Sequence, residues 1–145
     1  MMLTIALRFS DNFAPDAGTI AEHNKCILEK GFVWYGKLGS TVSEKVRTSI
    51  LENENPRILL IHSGRQFRYW AFIDQIQRET PPINEIPEYY RDQAEKFSTW
   101  FRVIKIEEAE KNVMSTCCVA SSGMVLSFAS RRSMSPYFII TCEGR

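Results

Sequence analysis

Apolar and polar positions alternate along residues 2–9, MLTIALRF, and this period of two predicts a first strand, ended by the Asp, Asn, Pro and Gly of residues 10–18. The period then changes. Thr19-Ile-Ala-Glu22 has the form of a capping box, and Ile20, Ile27 and Leu28 share one helical face before Gly31, which predicts a helix over 19–30. Phe32 to Tyr35 reads as a strand. A second capping box, Thr41-Val-Ser-Glu44, predicts a helix with Val42, Val46 and Ile50 facing one way until Asn53 to Pro56 ends it. Strands dominate from Arg57 onward: RILLIHS, then FRYWAFIDQIQRE beyond the Ser63-Gly64 break, then TWFRVIKIEE. ILLI is apolar on both faces and is expected to be a central strand, whereas Phe72, Asp74 and Ile76 begin the alternation of a half-exposed one. Residues 80–98 form a long connection with one helical turn near Pro87 to Gln93, and connections of that length often carry function. Met124 to Phe128 and Tyr137 to Thr141 are expected strands, separated by the polar bend SRRSMSP. The pattern predicts an α+β domain spanning 1–145, a strongly curved sheet or small β-barrel flanked by two early helices.

A chain of 145 residues is the size of one domain, and 44% hydrophobic with 24% charged residues is ordinary for a folded protein. Net charge is +1, so any nucleic-acid contact needs a local basic face, for which Arg65, Arg68, Arg131 and Arg132 are available. No apolar run approaches the roughly 18–20 residues that span a bilayer, and no leader pattern opens the chain, so a cytoplasmic protein without a membrane partner is expected. Cys26, Cys117, Cys118 and Cys142 show no C-x-x-C pair and no histidine at zinc-finger spacing, and are expected to be free thiols.

Catalytic chemistry finds little support. Of the two histidines, His23 falls in the first helix, and no nucleophile-elbow motif accompanies His62. A histidine at a strand end more often bonds a neighbouring backbone group, so a hydrolase or nuclease built on His62 with Lys37 and an arginine ranks third. GKLGS lacks the spacing of a phosphate-binding loop and no metal-ligating cluster is present, so neither metal nor cofactor is expected. The aromatic residues say more. In GFVWYGKLGS, Trp34 and Tyr35 stand beside a glycine-flanked lysine, and the glycines are expected to bring main chain close to something flat and polar. GRQFRYW interleaves Arg65 and Arg68 with Phe67, Tyr69 and Trp70, a composition suited to phosphates and stacked bases, although alternation in a strand divides these side chains between two faces. Trp70 serves equally well as core or as a ligand contact. Trp100 and Phe101 in STWFRV raise the same question, with core favoured for one and the other open, so that Trp100 is also a candidate ligand contact. The segment SFASRRSMSPYF offers Arg131, Arg132 and serine hydroxyls to backbone phosphates.

The order of VWYGKLGS, ILLIHSG, YWAFIDQIQRE, STWFRVIKIEE and SRRSMSPYFII resembles the EVE domain, a branch of the PUA-like superfold that also includes YTH domains. The resemblance implies a curled mixed sheet with helices outside it. It also implies a pocket for a modified base of DNA or RNA, drawing on Trp34, Tyr35, Gly36, Lys37 and Leu38 from the turn and on His62 and Ser63. Non-catalytic recognition of a nucleic acid through an aromatic-lined pocket is therefore the leading expectation. An interaction module for a protein or small ligand is second.

Overall fold

The computed structural model describes residues 2–12 and 14–143. Strands β1 (Met2–Phe9), β2 (Val33–Lys37), β3 (Arg57–His62), β4 (Arg68–Gln77), β5 (Thr99–Glu108), β6 (Cys117–Val119) and β7 (Tyr137–Cys142) form one sheet in the order β2-β5-β4-β3-β1-β7-β6. β1 and β3 are parallel and every other pairing is antiparallel, so the sheet is mixed. Its outermost strands β2 and β6 do not pair, so the curl stops short of a closed barrel. The expected α+β class with a curved mixed sheet holds.

β3 lies at the middle of that order, which is why its apolar run is buried on both sides. Ile58 and Leu60 join one core with Ile5, Tyr35, Ile73 and Phe101, covered by α1 (Thr19–Lys30) and α2 (Glu44–Leu51). Leu59 and Ile61 point the other way, into a core with Trp70, Leu126 and Ile140 that α3 (Val113–Thr116) and α4 (Leu126–Arg132) help to build. A third, smaller cluster places Trp34 and Trp100 against Ile86 and Ala94 of the connection between β4 and β5.

Several expectations change. Thr19 begins α1 rather than capping it: the loop before the helix folds back so that Asp11 Oδ1 accepts the Thr19 amide at 2.9 Å. Leu28 points into solvent, while Ile20, Cys26 and Ile27 meet the core. In the second helix the cap is Ser43, whose hydroxyl accepts the Val46 amide at 3.2 Å and leaves Val42 free to be buried. Register shifts between Phe72 and Gln75 break the simple alternation of β4, so Ile76 shares a core with Ala71 and Ile73 rather than a face with Phe72. The connection winds as 3₁₀ turns over Ile83–Glu85 and Glu88–Lys96. Met124 to Phe128 is not a strand. Leu126 and Ala129 repeat at helical spacing and bury one side of α4. Cys117 and Cys142 are register partners across β6 and β7, 4.2 Å apart at Cα, and form a disulfide, so only Cys26 and Cys118 remain free thiols.

Candidate functional site

The curl of the sheet brings the end of β2 to the start of β7, and these strands share no main-chain ladder. Side chains bridge the gap. Lys37 Nζ lies 4.0 Å from the centre of the Tyr137 ring, and Ser40 Oγ is 3.3 Å from the Tyr137 hydroxyl. Beside this bridge opens a cavity of about 260 Å³. Its lining includes Tyr35 of β2, Tyr89, Tyr90 and Phe97 from the connection, and Pro136 and Tyr137. Leu7, Phe9, Ala14 and Thr19 also line it, and Leu38 and Gln93 stand at exposed positions of its lining. Lys37 and Arg8 also line it, with no Asp or Glu among the described lining residues. The cavity is therefore aromatic and, in charge, neutral to positive.

Gly36 explains how so many rings converge. A Cβ on Gly36 would stand 2.6 Å from Phe97 Cγ, so only a bare main chain lets that ring lie flat against β2. Phe97 in turn stacks on Tyr90, with centroids 4.9 Å apart and planes at 29°. The glycine does bring backbone to a planar group, but that group is the protein's own phenylalanine. Gly39 serves the turn: its φ of 82° is in the left-handed region. Lys37 Nζ donates to the carbonyls of Leu38 and Ser40, and burial lowers its pKa. The ammonium thus fastens the turn and holds the Tyr137 ring.

Polar groups sit behind the rings. His23 is fully buried; its Nδ1 donates to the Thr19 carbonyl at 2.8 Å, so the proton is on Nδ1 and Nε2 is a bare acceptor. Nε2 has no partner among the described residues. The imidazole packs against Tyr35 and Tyr90 at centroid distances of 5.1 and 5.2 Å, and desolvation lowers its pKa to about 4. Desolvation likewise raises the phenols of Tyr35 and Tyr90 and pushes Tyr89 up to about 12, so all three stay protonated at neutral pH.

Of the side chains singled out from the sequence, Tyr35, Gly36, Lys37 and Leu38 line this cavity and Trp34 does not. Alternation along β2 sends Trp34 to the opposite side, where it is buried with Trp100 and its Nε1 donates to Glu85 Oε1 at 3.0 Å. Trp34 is thus an anchor for the connection that carries Tyr89 and Tyr90. Trp100 is fully buried, and Trp70 lies in the second core with Nε1 donating to Glu110. Neither indole reaches the cavity. His62 and Ser63 also lie outside its lining. The His62 ring is committed on both nitrogens: Nε2 donates to Asp11 Oδ2 at 2.8 Å and Nδ1 accepts the Gly64 amide at 3.0 Å. That pair ties the loop before α1 to the β3–β4 hairpin. Arg65 and half-buried Arg68 belong to that hairpin, while Arg131 and Arg132 are exposed at the end of α4.

Sequence reasoning did not single out Tyr89, Tyr90, Phe97, Tyr137 and Arg8. The length of the 80–98 connection was the one signal for the first three. Arg8 Nε donates to the Ser135 carbonyl and its Nη2 to the Ser130 and Ser133 carbonyls, which fixes the segment leading to Tyr137.

This fold belongs to a known class. The Pua-like family model matches residues 5–133, and the chain is a member of that family, whose domains generally bind nucleic acids. No curated protein and no solved structure matches the chain. Among the described residues no helix is long and apolar enough to cross a membrane, and no group of His, Cys, Asp and Glu is arranged to hold a metal ion.

Proposed function

We propose that the protein binds DNA or RNA without chemistry and takes one base, a modified one, into the cavity between β2 and β7. Support comes from the lining: Tyr35, Tyr90, Phe97 and Tyr137 present ring surface around a space of about 260 Å³. A base leaving its stack loses a few kcal/mol, and an aromatic wall restores about 1–3 kcal/mol per stacked base. Phenolic hydroxyls and the edge of β2 at Gly36 supply polar groups for the rim of a heterocycle. Lys37 and Arg8, unopposed by acids in the lining, favour a neutral base attached to a phosphate over a cationic ligand. The segment order, which resembles that of EVE domains, suggests a modified base, and Arg65, Arg68, Arg131 and Arg132 are the proposed backbone contacts. We also propose that residues 1–145 act as one domain.

The test is a binding series with short DNA and RNA oligonucleotides carrying methylated or hydroxymethylated bases beside unmodified controls. The modified member binds more tightly, and Tyr90→Ala weakens it by about fivefold or more. Absence of binding to every oligonucleotide at low salt, where phosphate contacts are strongest, contradicts the proposal.

A further inference from the structure

α4 buries Leu126 and Ala129 and turns a different face outward. Phe128 leads that face and is 49% exposed, with the guanidinium carbons of Arg131 and Arg132 each 5.3 Å from its ring centre. Residues 128, 131 and 132 are related by three and four positions, so they share one side of the helix. Two residues further on, Met134 is 96% exposed. The segment thus offers a ring and a thioether to solvent beside two cations. The charge beside them is one-sided. Residues 127–135, SFASRRSMS, contain two arginines and no acid, and neither arginine pairs with a carboxylate among the described residues. The C-terminal end of α4 is linked to the cavity through Arg8, which lines it. Arg8 holds the Ser130, Ser133 and Ser135 carbonyls, and Pro136 and Tyr137, the next residues, line the cavity as well.

An occupant of this face must offer apolar flat surface and negative charge at short, repeated intervals. A nucleic-acid strand does both. We propose that Phe128, Arg131, Arg132 and Met134 form the track for the nucleotides flanking the base held in the cavity, with Phe128 stacking on a neighbouring base and the two arginines on the phosphates. This rests on the cavity's taking a base, and it adds that the ligand is a strand rather than a free nucleotide. Phe128 is the new binding residue.

Fluorescein-labelled DNA and RNA pentamers with a central N6-methyladenine or 5-methylcytosine, and the corresponding mononucleotides, test it by anisotropy and competition. Wild-type protein gains affinity from mononucleotide to pentamer, and Phe128→Ser cuts that gain by about fivefold to a hundredfold. Phe128 is exposed, so the variant retains its melting temperature. The double variant Arg131→Gln, Arg132→Gln lowers the slope of log affinity against log salt by about 1.4, at roughly 0.7 per phosphate contact on a single strand. Pentamer binding that Tyr90→Ala abolishes but Phe128→Ser and the double variant leave unchanged overturns the track and keeps the cavity. Binding of no pentamer overturns both.

Discussion

Lys37 at the end of β2 and Tyr137 at the start of β7 meet through side chains alone, with Nζ 4.0 Å from the ring centre and no main-chain ladder between the two strands. Both residues line the cavity. A cation over an aromatic face contributes about 0.5–2 kcal/mol, the more so when partly desolvated as here. Lys37→Met therefore lowers the unfolding free energy in urea by about 1–3 kcal/mol, because it also strands the Leu38 and Ser40 carbonyls. Tyr137→Phe, which keeps the ring and loses only the Ser40 contact, stays within about 0.5–1 kcal/mol of the parent protein.

Gly36 and Gly39 flank Lys37 for different reasons, and alanine substitution separates them. Gly36→Ala drives a methyl into Phe97 Cγ, displacing a cavity wall, and costs about 1–3 kcal/mol. At Gly39 nothing lies within 4 Å of an added Cβ, so the cost is the left-handed backbone alone, about 1–2 kcal/mol. Only the first is expected to weaken oligonucleotide binding as well as thermal stability, and parallel melting and anisotropy measurements read both.

Trp34 is expected to matter for stability. Trp34→Ala removes a buried ring from the cluster with Ile86, Ala94 and Trp100 and costs about 3–5 kcal/mol in a denaturant titration, whereas Trp34→Phe costs less. A fully folded Trp34→Ala protein with unchanged stability contradicts the anchoring role.

His23 makes stability depend on pH. Its pKa is lowered by burial to about 4, against 6.5 for a free side chain. Between those values the unfolded chain binds the proton that the folded protein refuses, so stability falls as pH drops from about 6.5 and levels off below about 4. A difference of two to three units corresponds to about 3–4 kcal/mol. Urea midpoints at pH 7 and 4.5 should differ accordingly, and His23→Gln should flatten the profile. A His23 ring-proton resonance, assigned by its loss in His23→Gln, that titrates near pH 6.5 in the folded protein rules this out.

Much of the framework was legible because its signals are local. Alternation fixes β1, the two-sided apolar run fixes β3, and the change of period with a terminal glycine fixes α1. The errors arise where a distant partner decides. Both Thr41 and Ser43 carry a capping hydroxyl, and Ser43 serves because the core claims Val42. The apolar residues around Leu126 fit a strand or a short helix equally well, and packing against the second core selects the helix. In the site, Trp34 and Tyr35 are chemically similar neighbours, but a strand sends them to opposite faces and only Tyr35 meets the cavity. Tyr89 and Tyr90 lie in a polar stretch with no apolar period to mark them. Their position follows from Trp34 and Phe97 holding that stretch against β2, a tertiary fact that no spacing encodes.

The central claim is that a base enters the space between Tyr90, Phe97 and Tyr137. Its most direct test is an isotope-filtered NMR experiment on the labelled protein with a bound, modified-base pentamer. The account predicts contacts between protons of the central base and the ring protons of Tyr90, Phe97 and Tyr137. Contacts confined to the Phe128 and Arg131 surface, with those three rings unperturbed, contradict it.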